Sequence, residues 1–212
     1  MRPLFTAIAL AGLTLSAAPA GAAPTTMKLD GSKSALHART FKAGVASGLA
    51  HDHVISATEM SGTVGFDPDD PSTFTIEVTV KTASLKADEP RLRHKYGMDG
   101  EIDADDRETI EESMKDDEQL DVKRHPTIRF VSKTVKQTAP GKYDVEGELT
   151  LRGKTRTVKL PVDVSLSPAR FEGKGKLRIK HTDYGFEPYS AMLGAVKNQD
   201  KIDLHLHIVA AP

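Results

Sequence analysis

Two His-x-His pairs are the residues of this sequence whose types and spacing suit metal chemistry. His51 and His53 flank Asp52 in "GLAHDHVI", and His205 and His207 lie in "HLH" near the C-terminus. On a β-strand, residues i and i+2 share a face, so each pair would present two imidazoles in one direction. A zinc site needs a third ligand, which the other pair could supply only from a neighbouring strand in register. Metal binding or metal-dependent catalysis at His51 and His53 is therefore one alternative function.

Other kinds of catalysis find little support. The chain has no cysteine, which excludes thiolate catalysis, disulfides, iron–sulfur ligation and covalent haem attachment. No nucleophile elbow, His-Glu-x-x-His motif, phosphate loop or dinucleotide fingerprint is present. The formal net charge of -1 gives no general attraction to nucleic acid. We expect a binding protein without catalysis, with no firmly implied cofactor and no nucleic-acid partner.

The N-terminus has the features of a signal peptide. Arg2 precedes the apolar run "LFTAIALAGLTL", and Ala20-Gly21-Ala22 fits the small-residue rule for cleavage after Ala22 or Ala23. The run is too short to be a stable membrane anchor, and no cysteine follows to carry a lipid. We therefore predict a signal peptide at 1–22, one domain at 23–212, and a periplasmic or secreted location.

Strict alternation of apolar and polar residues dominates the remaining chain. In "TFTIEVTVK" the side chains of Phe74, Ile76, Val78 and Val80 share one face. Such alternation predicts antiparallel strands with one buried and one solvated face. A long sheet of this kind packs on another sheet or closes on itself, and closure removes its edges. We predict an all-β, eight-stranded antiparallel barrel, with strands near 34–41, 53–67, 73–81, 126–138, 142–151, 156–166, 170–180 and 201–209.

The segment between 87 and 124 departs from this alternation. It contains the acidic stretch "DDRETIEESMKDDEQL", in which Ile110 and Met114 have helical spacing. Asp106 is a candidate N-cap, and acidic residues near a helix start suit its dipole. We expect one short helix within 105–120, lying across a barrel mouth or flank.

Four stretches resemble a known family in their order and spacing. They are "HPTIRFVSKTV", "VEGELTLRGKTRTVKLPV", "RIKHTDYGF" and "DKIDLHLHIVA". Together they resemble the YceI-like family of exported lipid-binding proteins, and the hairpin of the second stretch is the most specific part. The chain departs from the family in having no Trp and in a longer, more acidic segment from Lys86 to Gln119.

The resemblance implies an extended lipocalin-like barrel whose apolar tunnel holds an isoprenoid chain. The ligand would be an amphiphilic lipid, such as a polyprenyl lipid or a quinone tail. Burial of such a tail is favourable by ~0.8 kcal/mol per CH₂ group, so a tunnel can bind it without any chemical reaction.

The candidate tunnel residues are the inward-facing apolar side chains of the strands. The same alternation also suits a barrel filled by its own side chains, which leaves a partner-binding stress module as a second alternative. The candidates are Phe74, Ile76, Val78, Phe130, Leu149, Val158, Leu160, Leu177 and Ile179.

The histidines can be assigned to faces only in part. Leu204 and Leu206 of the last strand should face the barrel interior, so the alternating His205 and His207 should face outward. His51 and His53 should share one face, and at the tunnel mouth they would bind a polar head group or, less favourably, a metal. The basic strand "KGKLRIKH" is a candidate for transient contact with a membrane surface.

Overall fold

The computed structural model describes residues 25–67, 70, 73–98 and 100–212. The predicted signal peptide at 1–22 lies outside the described residues and stays a prediction. In the described part of the chain no helix is both long and apolar enough to cross a membrane. The described strands are β1 (Thr25–Leu29), β2 (Ala35–Thr40), β3 (Lys42–Ala43), β4 (His53–Ala57), β5 (Met60–Phe66), β6 (Phe74–Lys81), β7 (Leu85–Ala87), β8 (Thr127–Ala139), β9 (Lys142–Leu151), β10 (Lys154–Ser167), β11 (Arg170–Lys180), β12 (Ser190–Ala191), β13 (Val196–Asn198) and β14 (Lys201–Ala211).

Eight antiparallel strands form a closed barrel, which confirms the predicted fold. Their order is β1–β5–β6–β8–β9–β10–β11–β14, and β14 closes the ring by pairing with β1 at Lys28–Ala211 and Leu29–Ala210. Two of the predicted strands differ from the structure: the strand at 53–67 divides into β4 and β5, and the strand at 34–41 is β2, which lies outside the closed ring. The barrel strand β1 was not predicted at all.

A three-strand extension widens one end of the barrel. Beyond its short contact with β1, the long strand β14 also pairs with β2, for example Leu204 with Ala38. β2 then pairs with β4, and β4 with β7. A separate small sheet of β12, β13 and β3 lies in the loops that connect these strands. The barrel therefore has a narrow end near β1 and a wide end near β2.

The barrel wall contains an unpaired seam between β10 and β11. Pairing of these strands runs from Ser167–Arg170 to Val162–Gly175 and stops there. On either side the sheet continues, because β9 pairs with β10 as far as Lys154 and β11 pairs with β14 as far as Lys180. Proline has no N–H to donate to a ladder, and Pro161 stands where the pairing ends.

Two α-helices lie in the 87–124 segment. The predicted helix is α2 (Ala104–Lys115), but the proposed cap was wrong: Asp103 caps it by accepting a hydrogen bond from the Asp106 N–H at 2.8 Å. The shorter α1 (Pro90–Lys95) was not predicted. Proline at the first helical position suits α1, because that N–H has no partner within a helix.

Aromatic side chains fill the narrow end. The ring of Phe74 lies 5.0 Å from that of Tyr143 and 5.4 Å from that of Phe171, both in edge-to-face contact. Met27 and Val145 are completely buried beside them. We call this region the packed end, and the region around β2, β4 and α2 the hollow end.

Candidate functional site

An apolar cavity with a volume of about 310 Å³ occupies the hollow end. Its walls come from β2, β4, β6 and β8–β11 together with β14, and the Phe171 ring forms part of its lining towards the packed end. The cavity contradicts the alternative of a completely filled barrel. Seven of the predicted tunnel residues line it: Ile76, Val78, Phe130, Leu149, Leu160, Leu177 and Ile179.

Phe74 and Val158 do not line the cavity. Phe74 points inward as expected, but it belongs to the packed end, where its ring is only 4% exposed among other rings. Val158 lies on β10 beyond the point where β10 and β11 part, and there it lines the outer cleft of the seam with Leu177. Alternation predicts which face of a strand a side chain lies on. It does not predict which end of the barrel the residue occupies, or where two neighbouring strands separate.

Two inward-facing glycines on β11 allow neighbouring groups to approach closely. Gly173 and Gly175 both line the cavity. A Cβ on Gly173 would lie 2.9 Å from the Phe171 ring, and a Cβ on Gly175 would lie 2.9 Å from the Pro161 carbonyl oxygen. Larger side chains at these positions would clash, because the Phe171 ring and the Leu160 side chain already lie over the two glycines.

Helix α2 covers part of the cavity through its apolar face. Ile110 and Met114 both line the cavity, as their spacing predicted for a helix across the mouth. Glu111 fastens the helix to β7, because its carboxylate accepts hydrogen bonds from the Ala87 N–H at 3.1 Å and from Lys86 Nζ at 3.0 Å.

A buried charge network supports the rim of the cavity at His53. Asp88 is completely buried, and its carboxylate accepts hydrogen bonds from His53 Nδ1 at 2.7 Å, the Val54 N–H at 3.1 Å and Arg93 Nη1 at 2.9 Å. Burial alone would raise the pKa of Asp88. The hydrogen bonds and charge of His53, with those from Val54 and Arg93, instead hold this pKa below its ordinary value of 3.8.

His53 therefore faces the cavity with a fixed ring. Its Nδ1–H is donated to Asp88, while the ring also lines the cavity wall. Arg93 extends the same network to the Asp52 carbonyl oxygen at 2.9 Å and to the Gly100 carbonyl oxygen at 3.1 Å. The network joins α1, β4 and the loop before β4 into one support.

The prediction that His51 and His53 share a face was wrong. β4 begins only at His53, so His51 lies in the preceding loop, where it is exposed. Strand geometry does not apply to a loop residue, so the alternation rule does not place the two side chains on one face. Within the described residues, no group of three or more His, Asp or Glu side chains is placed to hold a metal ion.

The C-terminal histidines lie on the outer face, opposite Leu204, Leu206 and Ile208, which line the cavity. They are only half-exposed, because His205 contacts the Tyr96 ring at 5.1 Å and His207 Nε2 lies 2.9 Å from Glu172 Oε1. His205 also stands directly opposite His37 on β2.

A family model for the YceI-like domain matches residues 27–210, which is nearly all of the barrel. The chain belongs to the YceI-like family.

Curated relatives of this YceI-like protein include a UPF0312 protein from Pseudomonas putida strain F1. It is 30% identical over 177 residues, which cover 83% of this chain and 76% of that protein. A UPF0312 protein from Azotobacter vinelandii is 28% identical over 137 residues, or 61% of each chain.

Solved structures with the same fold include BcnA of Burkholderia cenocepacia and a YceI protein of Campylobacter jejuni. BcnA superposes with a TM-score of 0.65 at 22% identity, covering 86% of this chain and 99% of BcnA. The C. jejuni protein gives 0.56 at 18% identity, covering 74% of this chain and 84% of its own. At these identities the likeness supports the barrel fold alone.

Several cavity residues of this YceI-like protein were missed by sequence reasoning. His181 lines the cavity, and its Nδ1–H is donated to the Asp200 carbonyl oxygen at 2.8 Å. Burial lowers the pKa of His181 below 6.5, despite the opposing effect of Asp200, so the ring is neutral at pH 7. Phe186 packs edge-on against it at 5.2 Å. His181 and Phe186 lie after β11 in the "HTDYGF" stretch, whose signal in the sequence is its place in the family resemblance.

Proposed function

We propose that this protein binds an isoprenoid-type lipid, such as a polyprenyl lipid or a quinone tail, without covalent chemistry. The observation that carries the proposal is the apolar cavity of about 310 Å³ in the hollow end. Ligand pockets typically have volumes of ~300–1,000 Å³ and bind largely through apolar walls. Membership of the YceI-like family supports the same ligand class, and the predicted signal peptide supports a periplasmic or secreted carrier.

The stability cost of the cavity argues that it has a use. Space left inside a core lowers stability, because the residues that line it lose the contacts that a filled core would provide. A larger side chain would fill part of the space, yet β2 places Ala38 there. A ligand that buries its own apolar surface offsets the cost.

Two histidines on the lining are suited to a polar head group. His53 and His181 each donate Nδ1–H to a fixed acceptor, which leaves Nε2 as the free nitrogen of each ring. In neutral His181 this nitrogen is an acceptor for a hydroxyl group. A few polar anchors in an apolar pocket set the orientation of a ligand, so the head group would lie near these rings.

Native mass spectrometry after mild purification, followed by lipid extraction, tests the proposal. We expect a copurified isoprenoid lipid, or uptake of farnesol as an added probe. Ala38→Phe should reduce uptake, because Ala38 lines the cavity opposite Leu204. Ala139→Phe is the matched control, since Ala139 is exposed at the end of β8. A wild-type protein that carries no lipid and takes up no probe would overturn the proposal.

A further inference from the structure

Exposed large apolar side chains gather at one place beside the hollow end. Val45 is 99% exposed and Leu193 is 109% exposed. Leu49 and Met192 are also largely exposed, and Tyr189 is 43% exposed. Soluble proteins normally scatter such residues singly, whereas these come from two neighbouring loops. We call these five residues the apolar tip.

The small sheet holds the two loops of the apolar tip together. β13 pairs with β3 at Lys197–Ala43, and the Ala46 N–H donates to the Ala195 carbonyl oxygen at 2.9 Å. The loops approach so closely that a Cβ on Gly44 would lie 2.3 Å from that same oxygen. The tip is therefore one surface with a defined arrangement.

Leu193, the most exposed residue of the tip, and its neighbour Met192 have a strained backbone. Met192 and Leu193 both adopt a left-handed backbone, with φ of 52° and 54°. Residues other than glycine rarely occupy this region, and such strain is concentrated at functional sites. Here it accompanies two large apolar side chains that are turned away from the protein.

Charge distinguishes the tip from the rest of the surface. The stretches 41–51 and 188–199 contain Lys42 and Lys197 but no Asp or Glu, in a chain that has 30 acidic residues. Both lysines are exposed. Among the acids that border these stretches, Asp52 is held by the Lys42 N–H at 2.9 Å and Asp200 by the Thr182 N–H at 3.0 Å. Glu187 is exposed.

The tip borders the cavity. Tyr189 of the tip also lines the cavity, as does Asn198, which pairs with Lys42 in the small sheet. A surface that covers the tip would therefore lie against this side of the hollow end.

We propose that the apolar tip inserts into the surface of an anionic lipid bilayer, with Lys42 and Lys197 at the level of the phosphates. Apolar side chains rimmed by cations are the combination that binds such interfaces. Docking would bring this side of the cavity to the membrane. That purpose rests on the proposed function, but docking itself can be measured without it. The contact lies on the tip rather than on the basic strand β11 that the sequence suggested.

Sedimentation with vesicles tests the docking surface. We expect the purified protein to bind vesicles of phosphatidylcholine and phosphatidylglycerol more tightly than phosphatidylcholine alone. Lys42→Gln with Lys197→Gln should weaken binding by about 30-fold and reduce its salt dependence. Lys123→Gln with Lys136→Gln is the matched control, because both lysines are exposed elsewhere and the net charge changes equally.

The apolar contribution is tested with Met192→Ser and Leu193→Ser together, which should weaken binding by at least about tenfold. Val122→Ser, a half-exposed apolar position away from the tip, should change it little. Because the chain has no cysteine, Leu193→Cys gives one site for an environment-sensitive dye. Its emission should shift to the blue on anionic vesicles, whereas the dye on Ala139→Cys should not respond.

Unchanged vesicle binding in the tip variants, or no binding by the wild type, would overturn docking. Loss of a dimer in the tip variants, with no vesicle binding, would instead assign the tip to a second copy of the chain. Farnesol uptake in native mass spectrometry is scored separately. Uptake without vesicle binding removes the docking proposal, and vesicle binding without uptake removes the proposed function alone.

Discussion

The packed end and the hollow end use the same alternating strands for opposite purposes. At the packed end, Phe74, Tyr143 and Phe171 converge in edge-to-face contacts, and Val145 is completely buried. At the hollow end, the corresponding inward positions carry residues such as Ala38 and Gly175, around a cavity of about 310 Å³. Side-chain size, rather than strand pattern, therefore decides where the barrel is filled.

The two ends also differ in what stabilises them. Apolar packing is sufficient at the packed end. The hollow end cannot pack its interior, and the buried Asp88 with its partners His53 and Arg93 supports its rim instead. The hollow end therefore depends on polar contacts around its rim, because the side chains that line the cavity do not pack against each other across it.

The largest expected effect on stability comes from replacing one phenylalanine by alanine at each end of the barrel. Phe74→Ala should lower the free energy of unfolding by ~3–5 kcal/mol, because it removes a fully packed ring. Phe130→Ala, on the neighbouring strand β8, should cost less than about 2 kcal/mol, since that ring already borders the cavity. Denaturant unfolding measures both. Equal losses would contradict a difference in packing.

The charge network is tested by Asp88→Asn, for which we expect a loss of about 3 kcal/mol. The substitution leaves Arg93, which is 4% exposed, without its buried carboxylate. Asparagine tolerates the left-handed backbone of Asp88, with φ of 52°, so the effect reports on charge rather than strain. Asp163→Asn, which breaks the exposed pair with Lys142, should cost less than about 1 kcal/mol. Similar losses in both variants would show that the network is unimportant.

Acid should weaken the hollow end first. Burial lowers the pKa values of His37, His181 and His205 below their ordinary 6.5. The unfolded chain therefore binds more protons below pH 6.5, and stability is lost as the pH falls from there towards the folded-state pKa values. Asp88, with its lowered pKa, loses its contribution only below its ordinary 3.8.

Unfolding measured between about pH 7 and about pH 5 should show this loss. His181→Gln should reduce the pH dependence, because it removes a buried imidazole whose pKa is lowered by burial. Hydrogen exchange at each pH would show whether β2 and β4 open before β1 and β5. Simultaneous opening of both ends would contradict the expectation that acid weakens the hollow end first.

The smallest expected effect has opposite signs at the two ends. Leu206→Phe enlarges a side chain that lines the cavity and should stabilise the protein by ~0.5–2 kcal/mol. Val145→Phe enlarges a side chain with no exposed surface and should destabilise it by ~1–3 kcal/mol. Thermal unfolding checks both. Destabilisation by Leu206→Phe would indicate that the space is not available to side chains.

The barrel itself could be predicted from the sequence because alternation reports directly which face of a strand is buried. The cavity residues on β6, β9 and β11 followed for the same reason. The Asp88–Arg93 pair could not be predicted, since both charges lie in a segment that reads as a solvated insertion. "DEP" before α1 was the available signal, because proline commonly opens a helix. Tyr189, Met192 and Leu193 gave no periodic signal, because their exposure results from a strained turn.

The seam between β10 and β11 bears on which ligands fit. Backbone hydrogen bonds join the strands over most of the wall. Enlarging the barrel at a paired position would therefore break a row of these bonds. From Lys154 to Pro161, β10 has no ladder partner on β11, and side chains such as Val158, Leu177 and Tyr184 cover the gap. We expect any expansion of the circumference to occur there, because separating β10 from β11 along this stretch breaks no ladder hydrogen bond. A ligand larger than the resting cavity would then widen the seam before it disturbs any paired strand.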